Sequence, residues 1–263
     1  MLTAMKNWTL ITGATSGIGW TLAEKFAEGG HKLILTGRSL PKLDKAAADL
    51  KSRFRVDVRV MIADLALVGA GSNLAKDLEL AGFEIECLVN NAGFGLLGPF
   101  PETDLKTEQD MLQVNLVSLV ELTHALIKPM VMRGSGRILN VASTAAFQPG
   151  PYMAVYYASK AFVLSFSLAL HEEQRNTKVT ITVLCPGPTR TNFQLRAGIP
   201  NSSWLERSSM DASSVAKIGY QATMRGDSIA IPGLANRIFA YGVKVLPSAW
   251  VIRAVAKVQK LRT

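Results

Sequence analysis

The chain of 263 residues and 28.4 kDa is long enough to bury the core of one large domain, and therefore needs neither disulfides nor a structural metal for stability. Its two cysteines, Cys87 and Cys185, lie in apolar runs and are expected to be buried free thiols, which excludes a disulfide-stabilised scaffold. The net charge of +9 is concentrated at the C-terminal end, with eight basic residues and one acid from Lys217 onward, which argues against a protein built throughout for nucleic acid.

Residues 1–6 contain no charged segment followed by a long apolar run, so we expect no secretory signal and a cytoplasmic location. Short apolar runs then alternate with amphipathic segments. Strands are predicted at residues 9–12, 32–36, 55–62, 87–90, 137–141, 179–184 and 228–231. Helices are predicted at residues 18–28, 41–53, 72–81, 107–132, 155–175 and 212–224. This alternation predicts a single α/β domain over residues 1–263, with a doubly wound parallel sheet of seven strands and helices on both faces.

A glycine-rich turn follows the first predicted strand and leads into the first helix. Glycines in such a turn let the backbone approach a pyrophosphate, which then binds the unpaired N–H groups of the helix start. The spacing Gly-x-x-x-Gly-x-Gly departs from the commoner fingerprint Gly-x-Gly-x-x-Gly, and an ordinary glycine-rich turn is the alternative. The position after the first strand favours a cofactor-binding turn, with the candidate contacts Gly13, Thr15, Ser16, Gly17, Ile18 and Gly19.

Arg38 stands at the end of the second predicted strand, where an acid would usually bind both ribose hydroxyls of NAD. A guanidinium can pair with a 2′-phosphate, which NAD lacks, so the sequence predicts NADP(H); a solvated loop arginine is the alternative. Asp64, followed by Leu65 after the third strand, is positioned to accept a hydrogen bond from an adenine amino group. A helix-capping aspartate is the alternative there.

Tyr156 and Lys160 are one helical turn apart on a predicted helix, which places a phenol and an ammonium group on one face. A free phenol has a pKa of about 10, and a nearby cation favours the phenolate, so the pair is suited to proton transfer. This spacing is common by chance, and Tyr157 also lies within a turn of Lys160. The pair alone does not choose between the two tyrosines.

Four motifs occur in order along the predicted strands. They are the glycine-rich turn, Asn90-Asn91-Ala92-Gly93 after the fourth strand, Ser143 after the fifth, and Tyr156-x-x-x-Lys160. With this combination the chain resembles the short-chain dehydrogenase/reductase family over residues 7–195, and more weakly to residue 232. The resemblance implies a Rossmann-type sheet, an oxidoreductase that interconverts a carbonyl and a secondary alcohol, and a homodimer or homotetramer.

The resemblance also implies roles for the matching residues. Tyr156 is the expected general acid/base, Lys160 lowers its pKa and contacts the nicotinamide ribose, and Ser143 hydrogen-bonds the substrate oxygen. Asn115 matches the asparagine that holds a water linking Lys160 to solvent. Ser143 lies thirteen residues before Tyr156, as in the family, and this spacing assigns the acid/base role to Tyr156 rather than Tyr157.

Two further turns are expected beside the cofactor. Asn91, Ala92 and Gly93 are typical of an ordinary strand-ending turn, and the resemblance implies that they also stabilise the sheet and line the cofactor. The segment 186–191 matches the family's Pro-Gly turn near the nicotinamide, with the candidate contacts Pro186, Gly187, Thr189 and Thr191.

The loops at the carboxyl ends of the later strands are apolar, and specificity in such folds lies in these loops. The candidate pocket residues are Phe94, Ala145, Phe147, Tyr152, Met153, Phe193 and Trp204. They predict a hydrophobic ketone or secondary alcohol as substrate, although apolar residues that simply close a lid are the alternative. The three histidines have no metal-ligand spacing, so no metal site is expected.

Residues 234–263 are predicted to form a basic extension of two amphipathic helices broken at Pro247. Both helices are too short and too charged to span a bilayer. A membrane-surface element, a lid and a dimer interface are the alternatives, and packing or dimerisation is favoured over peripheral membrane contact.

Three other functional classes remain beside the oxidoreductase. A cofactor-retaining epimerase or dehydratase would show no net redox change. A dinucleotide-sensing protein would usually lack the tyrosine or the lysine, and both are present. Nucleic-acid binding is the least favoured, because aromatic residues are sparse among the C-terminal basic residues.

Overall fold

The computed structural model describes residues 5–200 and 209–260. Its strands are β1 (Met5–Thr12), β2 (Lys32–Gly37), β3 (Val58–Ile62), β4 (Phe83–Asn90), β5 (Gly136–Val141), β6 (Val179–Leu184) and β7 (Ile229–Ala230). They form one parallel sheet in the order β3-β2-β1-β4-β5-β6-β7. The chain therefore starts in the middle of the sheet, builds outward in one direction, and then crosses back to build the other half. This confirms the doubly wound sheet predicted from the sequence.

Helices cover both faces of the sheet. They are α1 (Gly17–Glu28), α2 (Leu40–Phe54), α3 (Ala70–Leu80), α4 (Leu105–Leu112), α5 (Ser118–Arg133), α6 (Ala154–Glu173), α7 (Phe193–Arg196), α8 (Ala212–Arg225), α9 (Leu234–Gly242) and α10 (Ser248–Lys260). Short 3₁₀ turns occur at Phe100–Glu102 and Thr144–Phe147.

The core is divided by the sheet into two apolar layers, because successive side chains of a strand point to opposite faces. Ile11 of β1 belongs to the layer that packs under α1, α2 and α8, together with Phe26 and Leu43. Leu10, its neighbour, belongs to the layer under α3 and α5, together with Leu78 and Leu122. The strands read as continuous apolar runs because both of their faces are covered.

Several predicted boundaries are wrong. The strands β1 and β4 begin at Met5 and Phe83, each four residues before its predicted start. The strand predicted from residue 55 begins at Val58, because α2 continues to Phe54 and Arg55 ends it in the left-handed region, at φ 56°. The single helix predicted over residues 107–132 is interrupted by a π-helical turn at Gln113–Val117, which separates α4 from α5.

The segment Leu105–Arg133 is long and apolar enough to cross a membrane when judged by length and composition alone. Leu119, Leu122 and Met130 on α5 are nevertheless buried in the core layers of the fold. We therefore interpret the segment as a helix that packs on the sheet.

Candidate active site

The glycine-rich turn joins β1 to α1 and has a backbone that only glycine tolerates well. Gly13 and Gly17 have φ values of 66° and 57°, in the left-handed region that disfavours side chains. A Cβ atom on Gly19 would lie 2.2 Å from Nδ2 of Asn91 and 2.4 Å from the carbonyl oxygen of Gly13. The turn is therefore a bare backbone cradle at the carboxyl end of β1.

The first turn of α1 faces this cradle without a side-chain cap. Ser16 occupies the N-cap position but its hydroxyl makes no capping hydrogen bond with the described residues, and the first turn contains no acid. Free N–H groups and the positive end of a helix dipole suit an anion such as a pyrophosphate. The predicted contacts Thr15, Ser16, Gly17 and Ile18 all lie on this turn, so the residues present fit a dinucleotide.

Thr12 holds the cradle against the end of β4, a role that the sequence pattern did not reveal. Its hydroxyl accepts hydrogen bonds from the backbone N–H groups of Asn91 and Ala92, at 3.0 and 2.9 Å. The Asn91 side chain donates in return to the carbonyl oxygen of Thr12, at 2.9 Å. The sequence feature that could have indicated this role is a threonine at the end of the first predicted strand, directly before Gly13.

Arg38 lies beyond the end of β2 and its side chain is exposed. No carboxylate within residues 5–200 or 209–260 forms an ion pair with it. Asp64 follows β3, the strand that pairs with β2. Its carboxylate accepts from the N–H of Ala66 at 3.1 Å, and Leu65 is buried. The Asp64 contact is a local turn bond, and it leaves the second carboxylate oxygen for another donor.

The turn after β6 lies beside the glycine-rich turn that follows β1. Thr191 lies beside the glycine-rich turn, since a Cβ atom on Gly17 would be 3.3 Å from the Thr191 Cβ. Thr189 is buried and donates to the carbonyl oxygen of Gly187 at 2.9 Å. Gly187 packs closely under Asn236 of α9. The structure thus brings together the cofactor residues predicted after β1, β4 and β6.

Tyr156 and Lys160 lie on α6, and both are buried, with 8% and 6% of their surface exposed. The Lys160 ammonium donates to the carbonyl oxygen of Val141, at the end of β5, at 2.9 Å. It is 5.9 Å from the centre of the Tyr156 ring. The predicted pair therefore shares one buried helix face, held to the end of a strand.

Burial dominates the protonation of both groups. It raises the pKa of Tyr156 well above its usual value, and a hydrogen bond with the Ser143 side chain acts in the opposite direction. It lowers the pKa of Lys160 to about 8, although Cys185 acts against this. Desolvation therefore outweighs the other influences on both groups, because taking them out of water disfavours both charged forms.

Ser143 precedes the 3₁₀ turn at Thr144–Phe147, and its hydroxyl caps that turn. The oxygen accepts from the N–H of Ala145 at 3.1 Å, and the hydroxyl group lies 3.4 Å from the carbonyl oxygen of Pro186. A half-buried hydroxyl is thereby fixed between the end of β5 and the turn after β6.

Asn115 lies in the π-helical turn between α4 and α5, and it is buried. Its amide donates to the carbonyl oxygen of Phe94 at 3.0 Å and to the Ser159 hydroxyl at 3.1 Å. Its own oxygen accepts from the N–H of Phe94 at 3.1 Å. A Cβ atom on Gly93 would be 3.0 Å from this oxygen and 3.3 Å from the Lys160 ammonium, so Asn115 and Lys160 flank one glycine.

An apolar cluster surrounds the Tyr156 ring and contains most of the predicted substrate residues. Phe193 lies 5.3 Å from that ring, centre to centre, and Met153, Ala145 and Phe94 belong to the same cluster. Phe193, Met153 and Tyr156 all approach within 3.1 Å of the position that a Cβ atom on Gly95 would take. These three side chains therefore pack directly against the backbone of Gly95, where a larger residue would displace them.

Phe147, which was also predicted as a pocket residue, packs against a different apolar cluster. The 3₁₀ turn sends Ala145 to the Tyr156 side and Phe147 to the other side, where Phe147 packs near α9 under the Lys244 ammonium. Tyr152 stands at the edge of the site with φ 65°, a strained conformation for an aromatic residue. Trp204 lies outside the described residues.

A contact between α6 and α10 was not foreseen from the sequence. Gln259 is buried, and its amide donates to the Tyr157 hydroxyl at 2.8 Å and lies 3.6 Å from the Met153 sulfur. The second tyrosine of the Tyr-Tyr pair is thus a partner of the C-terminal helix. Within residues 5–200 and 209–260, no group of three or more His, Cys, Asp or Glu residues is suited to a metal ion.

Comparison with protein families gives a match to the model of the short chain dehydrogenases over residues 7–199. Among curated proteins, the very-long-chain 3-oxoacyl-CoA reductase of Homo sapiens is 35% identical over 185 residues, which are 68% of this chain and 58% of the relative. The chain thus spans less than two thirds of that relative's length. The sulfoacetaldehyde reductase 2 of Chromohalobacter salexigens is 36% identical over 84% of this chain and 90% of its own length.

Solved structures give the same result. A short-chain dehydrogenase from Sphingobium yanoikuyae, in complex with NADPH, is 32% identical and superposes with a TM-score of 0.81 over 90% of this chain and 93% of its own. A 7beta-hydroxysteroid dehydrogenase superposes with a TM-score of 0.86 at 24% identity, which supports the fold alone.

Proposed function

This chain belongs to the short-chain dehydrogenase family, and we propose that it is an NADP(H)-dependent oxidoreductase that interconverts an apolar ketone and its secondary alcohol. The observation that carries the proposal is the convergence of Ser143, Tyr156 and Lys160 beside a bare glycine cradle. The Ser143 side chain acts to lower the pKa of Tyr156, and the Lys160 ammonium lies 5.9 Å from the centre of the Tyr156 ring. An acid/base group and an oxygen-binding hydroxyl thus lie together at the carboxyl edge of the sheet.

In the proposed reaction a bound nicotinamide supplies or accepts the hydride. The N–H groups of the glycine-rich turn and the first turn of α1 would hold the pyrophosphate, and the 186–191 turn would line the nicotinamide end. The remaining work of the protein is to orient the substrate, exclude water and manage one proton.

Tyr156 is the proposed proton donor to the carbonyl oxygen in reduction, and the acceptor of the hydroxyl proton in oxidation. Ser143 would donate a hydrogen bond to the same oxygen and stabilise the negative charge that develops there. The Lys160 ammonium would stabilise the phenolate that Tyr156 becomes after donating its proton. Asn115, which flanks Gly93 together with Lys160, is placed to connect the ammonium with solvent.

The preference for NADP(H) rests on Arg38. Its exposed guanidinium has no ion-pair partner among the described residues, and a 2′-phosphate would provide one. The NADPH complex of the 32% identical relative supports the same choice.

An apolar substrate is supported by the cluster around Tyr156. Phe94, Met153 and Phe193 would present aromatic and thioether surface to a carbonyl bound beside Tyr156. The human relative is named for very-long-chain 3-oxoacyl-CoA reduction, whereas the Chromohalobacter salexigens relative is named for a small anionic aldehyde. The apolar wall favours the former class of substrate.

The first prediction tests the acid/base assignment. Tyr156→Phe removes only the hydroxyl, so turnover should fall at least about 100-fold while NADPH binding changes little. The measurement is the loss of NADPH absorbance with a panel of long-chain 3-oxoacyl thioesters, bulky ketones and sulfoacetaldehyde, together with an NADPH titration by fluorescence.

Tyr157→Phe is the matched control, because it deletes the same atom one residue away and should retain turnover. Retained activity in Tyr156→Phe would refute the assignment. Faster reduction of sulfoacetaldehyde than of every apolar carbonyl would refute the substrate class, and absence of net NADPH consumption with active preparations would favour an epimerase or dehydratase.

A further inference from the structure

The two C-terminal helices, α9 and α10, expose several large apolar side chains to solvent. Leu234, Ile238 and Tyr241 repeat along one face of α9, and Trp250 and Val258 lie on one face of α10. Trp250 is 65% exposed and Val245, in the turn between the helices, is 84% exposed. We call these residues, with the cations between them, the C-terminal surface.

Cations interrupt the apolar residues at helical spacing. Arg237 is exposed on α9, and Arg253 and Lys257 are exposed on α10. Lys244 is exposed just after the end of α9, where its ammonium lies over the rings of Phe147 and Tyr241. None of these four forms an ion pair with a described carboxylate. Residues 228–263 contain six lysines and arginines and no acid.

The opposite faces of the same helices are anchored on the fold. Ala240 of α9 is buried in the core layer that contains Val163 and Ile231. Val251 and Gln259 of α10 are buried, and Gln259 donates to the Tyr157 hydroxyl. Each C-terminal helix is therefore anchored on the fold by one face and exposes apolar and basic side chains on the other.

We propose that the C-terminal surface docks on the surface of an anionic lipid membrane. Exposed tryptophan, tyrosine and aliphatic side chains enter the headgroup region of a bilayer, and lysine and arginine pair with anionic headgroups. A second copy of this chain fits less well, because a two-fold contact would place one acid-free basic surface against another. The lengths of α9 and α10, nine and thirteen residues, suit helices that lie on a bilayer rather than cross it.

The experiment measures co-sedimentation of the full chain with phosphatidylcholine vesicles, with and without roughly 30% phosphatidylserine. The wild type should bind the anionic vesicles and release them at high salt, and should bind neutral vesicles about tenfold more weakly. Arg253→Glu with Lys257→Glu should reduce binding at least about tenfold. Trp250→Ser with Val258→Ser should reduce it by a similar factor without changing the salt dependence.

Matched controls lie elsewhere on the surface. Arg59→Glu with Lys76→Glu makes the same charge change. Leu67→Ser with Val68→Ser removes two apolar side chains that are together more exposed than Trp250 and Val258. Both pairs should leave vesicle binding unchanged. Failure of the wild type to bind anionic vesicles, or equal effects of the control and test pairs, would overturn the proposal. So would light scattering in which the test pairs convert a dimer to a monomer while vesicle binding persists.

Discussion

Lys160 is a single residue whose proposed catalytic role conflicts with stability. Its ammonium is buried, and its one described hydrogen bond goes to the carbonyl oxygen of Val141. Burial lowers its pKa from 10.5 to about 8, so at neutral pH the folded protein holds a charge that it would be more stable without. The corresponding cost is about 3 kcal/mol at pH 7.

The second prediction follows from this conflict. Lys160→Met should lose at least about 100-fold in turnover, yet should unfold with a free energy at pH 7 about 1–2 kcal/mol above that of the wild type. The gain is smaller than the full cost of the charge because the Val141 carbonyl oxygen loses its partner. Urea unfolding followed by circular dichroism measures the difference.

The pH dependence fixes the cause. Between about pH 8 and 10.5 the unfolded chain holds a proton on Lys160 that the folded chain has lost, so the wild type gains stability relative to the variant as pH rises through this window. The advantage of Lys160→Met should therefore shrink from pH 7 to pH 10. Other groups titrate in both proteins and cancel in the difference. A variant less stable than the wild type at pH 7 would contradict the prediction.

Arg38 supports the third prediction, on cofactor choice. Arg38→Asp should raise the KM for NADPH about 10- to 100-fold and leave the KM for NADH unchanged or lower, because it replaces a phosphate-binding cation with a repelling carboxylate. Initial rates with each cofactor measure the ratio. Arg55→Asp makes the same charge change at the far end of α2 and should have no effect. An unchanged cofactor ratio in Arg38→Asp would refute the role.

At the scale of elements, α6 joins the proposed catalytic group to the C-terminal helix. Tyr156 faces the proposed site, whereas Tyr157 accepts a hydrogen bond from Gln259 on α10. Met153 belongs to the apolar cluster around Tyr156, and its sulfur also lies 3.6 Å from the Gln259 amide. Because Gln259 of α10 contacts Met153 and Tyr157 of the apolar cluster, the position of α10 bears on the shape of the proposed substrate pocket.

The fourth prediction concerns this contact. Gln259→Leu keeps the approximate volume of the side chain but removes its hydrogen bond to Tyr157. The free energy of unfolding should fall by about 1 kcal/mol. The KM for a bulky ketone should rise several-fold while kcat and NADPH affinity stay near the wild-type values. Tyr157→Phe should have the same effect, and the double variant should be no worse than either single variant. Fully additive effects would show that the contact does not act on the pocket.

The π-helical turn before α5 was not predicted from any pattern in the sequence. Residues 107–132 read as one helix because their apolar residues keep helical spacing. The structure needs the extra residue in the turn to bring Asn115 under Phe94, where its side chain satisfies both backbone groups of that residue. Such turns often occur at functional sites.

At the scale of the whole molecule, the order of the strands explains where the site lies. The chain reverses its direction of growth between β1 and β4, which opens a crevice at the carboxyl ends of these strands. The glycine-rich turn, Asn91 and Ser143 all follow strands of this central region. Residues that are more than a hundred positions apart therefore face one another there.

Charge is also arranged at this scale. The excess of basic residues lies in the C-terminal helices α9 and α10. The second of these, α10, contacts the proposed substrate side of the fold through the hydrogen bond from Gln259 to Tyr157. The apolar pocket and the proposed membrane-binding surface thus belong to opposite faces of α10, which would bring the site near a lipid surface once the protein docks.

The sequence by itself determined the sheet, the family and the proposed catalytic residues, because each depends on local spacing: apolar runs for strands, glycines after β1, and a tyrosine one helical turn before a lysine. The resemblance supplied the pairing of Ser143 with Tyr156, which spacing alone left open. Only the tertiary structure decided that burial governs the pKa of Tyr156, that Phe147 turns away from the site, and that Gln259 holds Tyr157. Desolvation and contacts between distant elements depend on the packed fold, and no local pattern of residues encodes them.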